Sequence, residues 1–303
     1  SMQPLSSPDA CRLSGARTDD PRITNRVGNP LTSESGHPIC GEPKRPDWED
    51  LMSLNGRLAL VTGGGRGIGS AISLALANDG ADIAIHYNRD SASAEDTAQK
   101  VADLGRRVGL FQASLEDLDR LGPMVESIQE ELGDPDIVIH NAGIASRGRK
   151  VADTEAEEVD RLMRVHAFAP HELSKQLIPG MRKQERGDII MVSSAATLYD
   201  AAGGAPYNMA KAAMESLART LAAEERRNGI RVNTVAPGLV ETEMGRRLVK
   251  ATSGEGDLRE MENRMPFGRI CQPEDVADAI RHLVSARSSY VTGQRLGVDG
   301  GRN

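Results

Sequence analysis

The sequence predicts an α/β protein: a single doubly wound domain of about seven parallel strands with helices on both faces. Three observations predict it. Short apolar runs alternate with helix-length stretches without a break from residue 57 to 300, the pattern of parallel strands joined by right-handed crossovers. A glycine-rich turn, TGGGRGIG at 62–69, stands where the first run gives way to the first helical stretch. The residues able to do chemistry fall just past the ends of the runs, where such sheets take their ligands.

The elements follow in order. LALVTG (58–63) reads as a strand buried on both faces, followed by the glycine turn and a helix from Ile68 to Asn78 closed by Gly80. ADIAIHY (81–87) is a second strand, with a helix of period near 3.6 from Ser93 to Leu104. RVGLFQA (107–113) is a third strand, Leu118 to Leu132 a third helix, and DIVIHNAG (136–143) a fourth strand ending in a turn. A long helix is expected from Ala156 to Lys183, bent at Pro170, because proline removes a helix donor. Then come the strand DIIMVSS (188–194), a helix from Pro206 to Arg227 and the strand IRVNTVA (230–236). The stretch 241–266 is charged, contains methionines and shows little regularity. Pro273 opens a last helix to about Ser285, and QRLGVDGG (294–301) supplies the last strand.

Composition sets outer bounds. With 37 basic and 44 acidic residues the net charge is −7, which gives no case for nucleic acid or an anionic membrane as partner. No apolar run reaches the ~18 residues of a membrane span, and the N-terminus lacks the apolar core of a signal peptide. Cys11, Cys40 and Cys271 are far apart and in no C-x-x-C arrangement, which reads as a cytoplasmic protein without a disulfide framework. Residues 1–55 form a polar N-terminal extension, flexible or lying on the surface, with Trp48 as an anchor; Ser1-Met2 reads as a remnant of tag removal. His37 and Cys40 have a spacing a metal could use, but two ligands do not make a site, so no metal is expected.

The chemistry centres on Tyr207-Asn208-Met209-Ala210-Lys211. Residues four apart on a helix share a face, so the Tyr207 phenol and Lys211 ammonium can share one site. A phenol titrates near ~10 in water, and a neighbouring cation favours the phenolate. Ser194 stands 13 residues upstream, at the end of an apolar run.

At this point the chain resembles the short-chain dehydrogenases/reductases. The resemblance rests on TGGGRGIG (62–69), HNAG (140–143), SS and YNMAK (193–211), PG and ET (237–242) and SSYVTGQRLGVDGG (288–301), in the family's order and spacing from about residue 56 onward. The whole pattern is most similar to the 3-oxoacyl-(acyl-carrier-protein) reductase-like branch. It implies a Rossmann-type domain over 56–303 with a substrate lid at about 241–266. It also implies a nicotinamide dinucleotide cofactor, a small-molecule carbonyl or alcohol substrate, and a homotetramer, with a homodimer as the alternative.

The resemblance assigns roles residue by residue. Gly63, Arg66, Gly67, Ile68 and Gly69 form the cofactor turn, with the glycines letting backbone approach a pyrophosphate at a helix N-terminus. Asn141, Ala142 and Gly143 pack the adenine ribose; Pro237 and Gly238 lie close over the nicotinamide ring, and Thr242 offers a hydroxyl near the nicotinamide amide or the phosphates. The second strand ends in Tyr87-Asn88-Arg89 rather than in an acid, and Arg66 sits in the glycine turn. This favours NADP, with NAD possible, because arginines can grip a 2′-phosphate. Tyr207 is implied as proton donor, Ser194 as the group that orients the substrate oxygen with Ser193 as second choice, and Lys211 as the residue that holds the nicotinamide ribose and lowers the phenol's pKa. Two positions depart from the pattern. Ser114-Leu115 replaces a usual Asp at the adenine, and His166 stands where an asparagine is usual, 28 residues before Ser194. His166 either joins the proton relay, titrating near neutrality, or packs on a buried helix face.

The expected activity is NADPH-dependent reduction of a 3-oxoacyl thioester or related ketone. A polyol or sugar 1-dehydrogenase and a non-catalytic dinucleotide-binding scaffold are the alternatives. Arg182, Lys183, Arg226 and Arg227 are candidates for a carrier-protein docking patch, diluted by Glu185, Glu224 and Glu225.

Overall fold

The structure is a computed structural model that describes residues 51–253, 261–263 and 265–301. The expected tail as far as residue 50, with Trp48, His37, Cys40 and Cys11, lies outside the described residues, as do 254–260 and 264 of the expected lid.

Seven strands form one parallel sheet: β1 (Leu58–Thr62), β2 (Asp82–Tyr87), β3 (Val108–Gln112), β4 (Ile137–His140), β5 (Gly187–Val192), β6 (Ile230–Pro237) and β7 (Arg295–Val298). Their order is β3-β2-β1-β4-β5-β6-β7. The chain therefore runs outward to β3 and returns to lay β4 beside β1, opening a crevice between the carboxyl ends of β1 and β4. The helices are α1 (Gly67–Asn78), α2 (Ser91–Asp103), α3 (Leu121–Glu131), α4 (Ala156–Met163), α5 (Ala169–Met181), the short α6 (Ala196–Tyr199), α7 (Ala205–Glu225), α8 (Glu243–Ser253) and α9 (Pro273–Val284).

The strands are apolar throughout because both faces are covered. Leu60, Val138, Ile189 and Met191 face a core with Val125 and Ile128 of α3, Leu173 and Leu177 of α5, and Met214 and Ala218 of α7. Their neighbours Ala59, Val61, Ile83, Ile139 and Ile190 face a second core with Ile72 and Leu76 of α1 and Ile280 and Val284 of α9. Each large side chain so buried contributes roughly 1.5–3 kcal/mol. The packed chain reaches back beyond the expected boundary: Leu54 is fully buried and its N–H donates to the Asp79 carbonyl at 2.8 Å, while the Leu51 carbonyl accepts from Ala286.

Two helical expectations change. The long helix does not bend at Pro170; it divides into α4 and α5 around a π-helical turn at Arg164–Phe168, with Pro170 in the first turn of α5. The proline acts one turn upstream, because the N–H it lacks is the one that would bond the His166 carbonyl in a regular helix. The irregular stretch at 241–266 contains α8, whose Val249 packs with Ile270, Leu239 and Met265. Its apolar residues are too few to show as a period among so many charges.

At the amino ends of the strands a buried charge cluster ties four of them together. Asp188 on β5 takes the Arg57 guanidinium at 2.8 Å, Arg186 at 3.1 Å and Arg231 of β6 at 2.6 Å, and Arg57 also reaches Asp136, just before β4, at 2.9 Å.

Candidate active site

The glycine turn is built by close backbone packing. Gly63 leaves β1 at φ +63°, and its N–H donates to His86 Nδ1 at 3.1 Å. That fixes the tautomer, so His86 Nε2–H donates to the Ala113 carbonyl at 3.1 Å. Burial pushes His86 down to about 4, which keeps the ring neutral. Gly67 also needs the left-handed region, at φ +54°. Gly69 has no room for a side chain: a Cβ there would lie 2.0 Å from the Gly63 carbonyl oxygen and 2.7 Å from Asn141 Nδ2.

Asn141 and Thr62 join this turn to the end of β4. Asn141 Nδ2 donates to the carbonyls of Thr62 at 3.0 Å and Gly63 at 3.3 Å, while Thr62 Oγ1 accepts from the N–H groups of Asn141 and Ala142. Helix α1 begins at Gly67 with no side chain capping its first turn and no acid in that turn. Its N–H groups and the positive end of its dipole are open to an anion. The Thr242 methyl lies 3.4 Å from where a Gly67 Cβ would stand, and Gly238 N–H donates to the Val298 carbonyl at 3.0 Å. The uncapped α1 turn, with glycines that admit close approach, fits the pyrophosphate of a dinucleotide.

The cationic pair is less free than its sequence suggests. Arg66 is exposed and bonds Glu243 of α8 at 2.6 Å, with Asp90 at 3.9 Å. Arg89 is exposed beside Asn88, whose carbonyl accepts from Gln112 at 2.8 Å.

The second group sits on α7. Lys211 is buried and its ammonium donates to the Val192 carbonyl at 2.7 Å, with its nitrogen 5.8 Å from the centre of the Tyr207 ring. Burial pulls Lys211 down to about 7, opposed by Glu215. The Tyr207 phenol is pushed above its ordinary value by burial, and a hydrogen bond with Ser194 pulls it back. The expected acidification by Lys211 is therefore not the dominant effect, because the desolvation cost of a phenolate outweighs it.

Ser193, the second choice for orienting a substrate, is excluded: it is buried and its hydroxyl donates to Glu215 at 2.6 Å. Ser194 faces Tyr207 and keeps part of its surface open. His166 is fully buried, edge-on to the Tyr207 ring at 5.4 Å, with Nε2 at 2.9 Å from the Ile144 carbonyl. Burial and then the Lys211 charge push it down to about 3, so it does not titrate near neutrality. Gly143 makes space for it, since a Cβ there would lie 2.8 Å from its Cε1. Serine, phenol and ammonium could hold a carbonyl oxygen and pass it a proton.

The basic docking patch is not at this site. Arg226 follows Tyr207 by 19 residues along α7 and its end, roughly 28 Å at helical rise. Arg182 is paired with Glu225 at 2.6 Å. Sequence reasoning missed Thr62, His86 and Glu215. Only Glu215 had a signal, as the next residue four positions on from Tyr207 and Lys211.

Comparison with known proteins places this geometry. A family model described as enoyl-(acyl carrier protein) reductase matches residues 63–303. A 3-oxoacyl-[acyl-carrier-protein] reductase of Thermotoga maritima is 34% identical over 250 residues, covering 82% of this chain and 99% of that protein. A short-chain type dehydrogenase/reductase from Mycobacterium marinum is similar in structure, with a TM-score of 0.75 and 30% identity over 83% of this chain and 97% of that one. A 7α-hydroxysteroid dehydrogenase complexed with NADH and 7-oxo glycochenodeoxycholic acid gives a TM-score of 0.76 at 28% identity, over 83% and 96% of the two chains.

Proposed function

The chain belongs to the short-chain dehydrogenase/reductase family, on the branch similar to the 3-oxoacyl-[acyl-carrier-protein] reductases, and on that premise we propose that it is an NADPH-dependent reductase of a 3-oxoacyl thioester or related ketone. The family carries out carbonyl and alcohol oxidoreduction with a nicotinamide dinucleotide. The observation that carries the carbonyl–alcohol reading is the Ser194 hydroxyl set against the Tyr207 phenol beside a buried lysine. The exposed Leu198 and Tyr199 of α6, which begins two residues after Ser194, support an apolar substrate body.

When bound, a dinucleotide would supply or accept the hydride. The α1 N-terminus with Gly67, Ile68 and Gly69 would hold its pyrophosphate, Asn141, Ala142 and Gly143 its adenosine side, and Pro237, Gly238 and Thr242 its nicotinamide side. Arg66 and Arg89 would take the 2′-phosphate, with Arg66 exchanging Glu243 for it. Ser194 donates to the substrate carbonyl oxygen and fixes its direction. Tyr207 gives that oxygen its phenolic proton, which leaves an alcohol; the reverse transfer serves oxidation. Lys211 binds the nicotinamide ribose hydroxyls and stabilises the phenolate by its charge. His166 stays neutral and orients the Tyr207 ring by edge packing. The active assembly is a homotetramer, with a homodimer as the alternative, as the resemblance implies, and the cysteine usage reads as cytoplasmic.

Initial rates on acetoacetyl thioester, a hydroxysteroid ketone, a sugar lactol and simple ketones, each with NADPH and NADH, test this reading. Preferred turnover of the thioester with NADPH is expected. Preference for NADH overturns the cofactor assignment, and preference for the sugar or steroid overturns the substrate class.

A further inference from the structure

We propose that Glu215 is a positioning residue for this site: a buried carboxylate that fixes the strand end carrying Ser194 and keeps the Lys211 cation in register with Tyr207. The proposal rests on the functional reading above. Tyr207, Lys211 and Glu215 follow at intervals of four on α7, so they form one stripe along the helix.

Glu215 is 8% exposed, and one of its oxygens gathers three donors. Oε1 accepts from Ser193 Oγ at 2.6 Å, Thr197 Oγ1 at 2.9 Å and Arg295 Nε at 3.1 Å. Ser193 and Thr197 bracket Ser194, and Arg295 also donates from Nη2 to the Ser194 carbonyl at 3.2 Å. The carboxylate thus holds the main chain on both sides of the substrate-facing hydroxyl. Charge-assisted bonds of this kind in a dry site are strong and directional.

The same carboxylate is the counter-charge of Lys211. Burial drives that ammonium toward its neutral form, and Glu215 opposes it. The other groups around Lys211 do not substitute. From its own helix Tyr207 is protonated, and from the π-helical turn His166 is neutral. From β5 only the Val192 carbonyl reaches it, at 2.7 Å. Glu158 of α4 accepts from the Arg147 N–H at 2.6 Å, and the β5 and β6 charges Asp188 and Arg231 pair with each other at 2.6 Å. From β7, Arg295 touches Glu215.

The test is Glu215→Gln in the chain of residues 1–303, with kcat/KM for the carbonyl measured from pH 5 to 9 at saturating dinucleotide. Glutamine keeps an acceptor for Ser193 and Thr197 but removes the charge. Lys211 is charged below its pKa, so the alkaline limb should move to lower pH by about one unit, with most of the rate restored at acid pH. Arg295→Met removes a competing cation and should move the limb the other way. A purely structural Glu215 lowers the rate evenly at every pH. Superimposable limbs in Glu215→Gln and parent overturn the proposal; where that variant fails to fold, an unshifted or acid-shifted limb in Arg295→Met does so. Should the parent reduce no carbonyl at all, the functional reading fails by itself. The 15N titration of the Lys211 Nζ signal in parent and variant then still reads the proposed shift.

Discussion

Gly69→Ala is the most direct probe of the cofactor turn. The added Cβ would lie 2.0 Å from the Gly63 carbonyl oxygen and 2.7 Å from Asn141 Nδ2. Neither atom sits at the end of a free side chain: the first is backbone, and the second is held by its bonds to Thr62 and Gly63. The turn must open by about 1 Å, at an over-packing cost of roughly 1–3 kcal/mol. Alanine's better helix propensity offsets about 1 kcal/mol of this. The expected net destabilisation is roughly 0–2 kcal/mol, read by urea denaturation. Because the displaced atoms line the proposed pyrophosphate seat, dinucleotide affinity measured by calorimetry should fall by roughly 10²-fold. Gly122→Ala in α3 is the control, since its Cβ would meet nothing closer than Gln176 at 3.8 Å. It should leave binding unchanged and stabilise by up to about 1 kcal/mol. Gly69→Ala with parental stability and parental binding would refute the close-packed turn.

Tyr207→Phe should lose about 10²-fold to 10⁴-fold in turnover while dinucleotide still binds by fluorescence titration; retained turnover would show that another group moves the proton. His166→Phe should keep the shape of the pH–rate profile between pH 5 and 9, because that ring sits near 3 and stays neutral throughout; a changed limb would restore it to the proton relay. Asp188→Ala leaves three guanidinium groups without their shared carboxylate and should cost about 3–5 kcal/mol in thermal or urea unfolding. Asp275 is held down at about 2 by Arg269 and the N-cap of α9, so its stabilisation is present above its ordinary value of 3.8 and is lost as pH falls toward 2. Asp275→Asn should be less stable than the parent at pH 6 and match it near pH 2 in melting curves; a gap that persists at pH 2 would sink this assignment.

The sheet was legible because burial on both faces writes continuous apolar runs, and every expected strand is present. Proline position was legible as well, but its effect was misplaced: Pro170 disturbs the carbonyl of His166 rather than its own turn. The helix α8 was obscured because its apolar residues meet only a small satellite core. At the site, spacing brought Ser194, Tyr207 and Lys211 together. It could not separate Ser194 from Ser193, since that choice depends on Glu215 reaching in from another element. Nor could it weigh the Lys211 charge against desolvation of the phenol, which depends on how much protein surrounds the hydroxyl. Thr62 and His86 were passed over because a polar residue in a buried strand carries no periodic mark, and its purpose appears only with its cross-strand partners.

The sheet's all-parallel direction gives the molecule two unlike margins. One carries the loops proposed to meet substrate and cofactor; the other is drawn together by Asp188 and its arginines. Selection for durability can therefore act on one border while selection for new substrates acts on the opposite one. Variants that gain heat tolerance at the charged border should keep their substrate preferences intact.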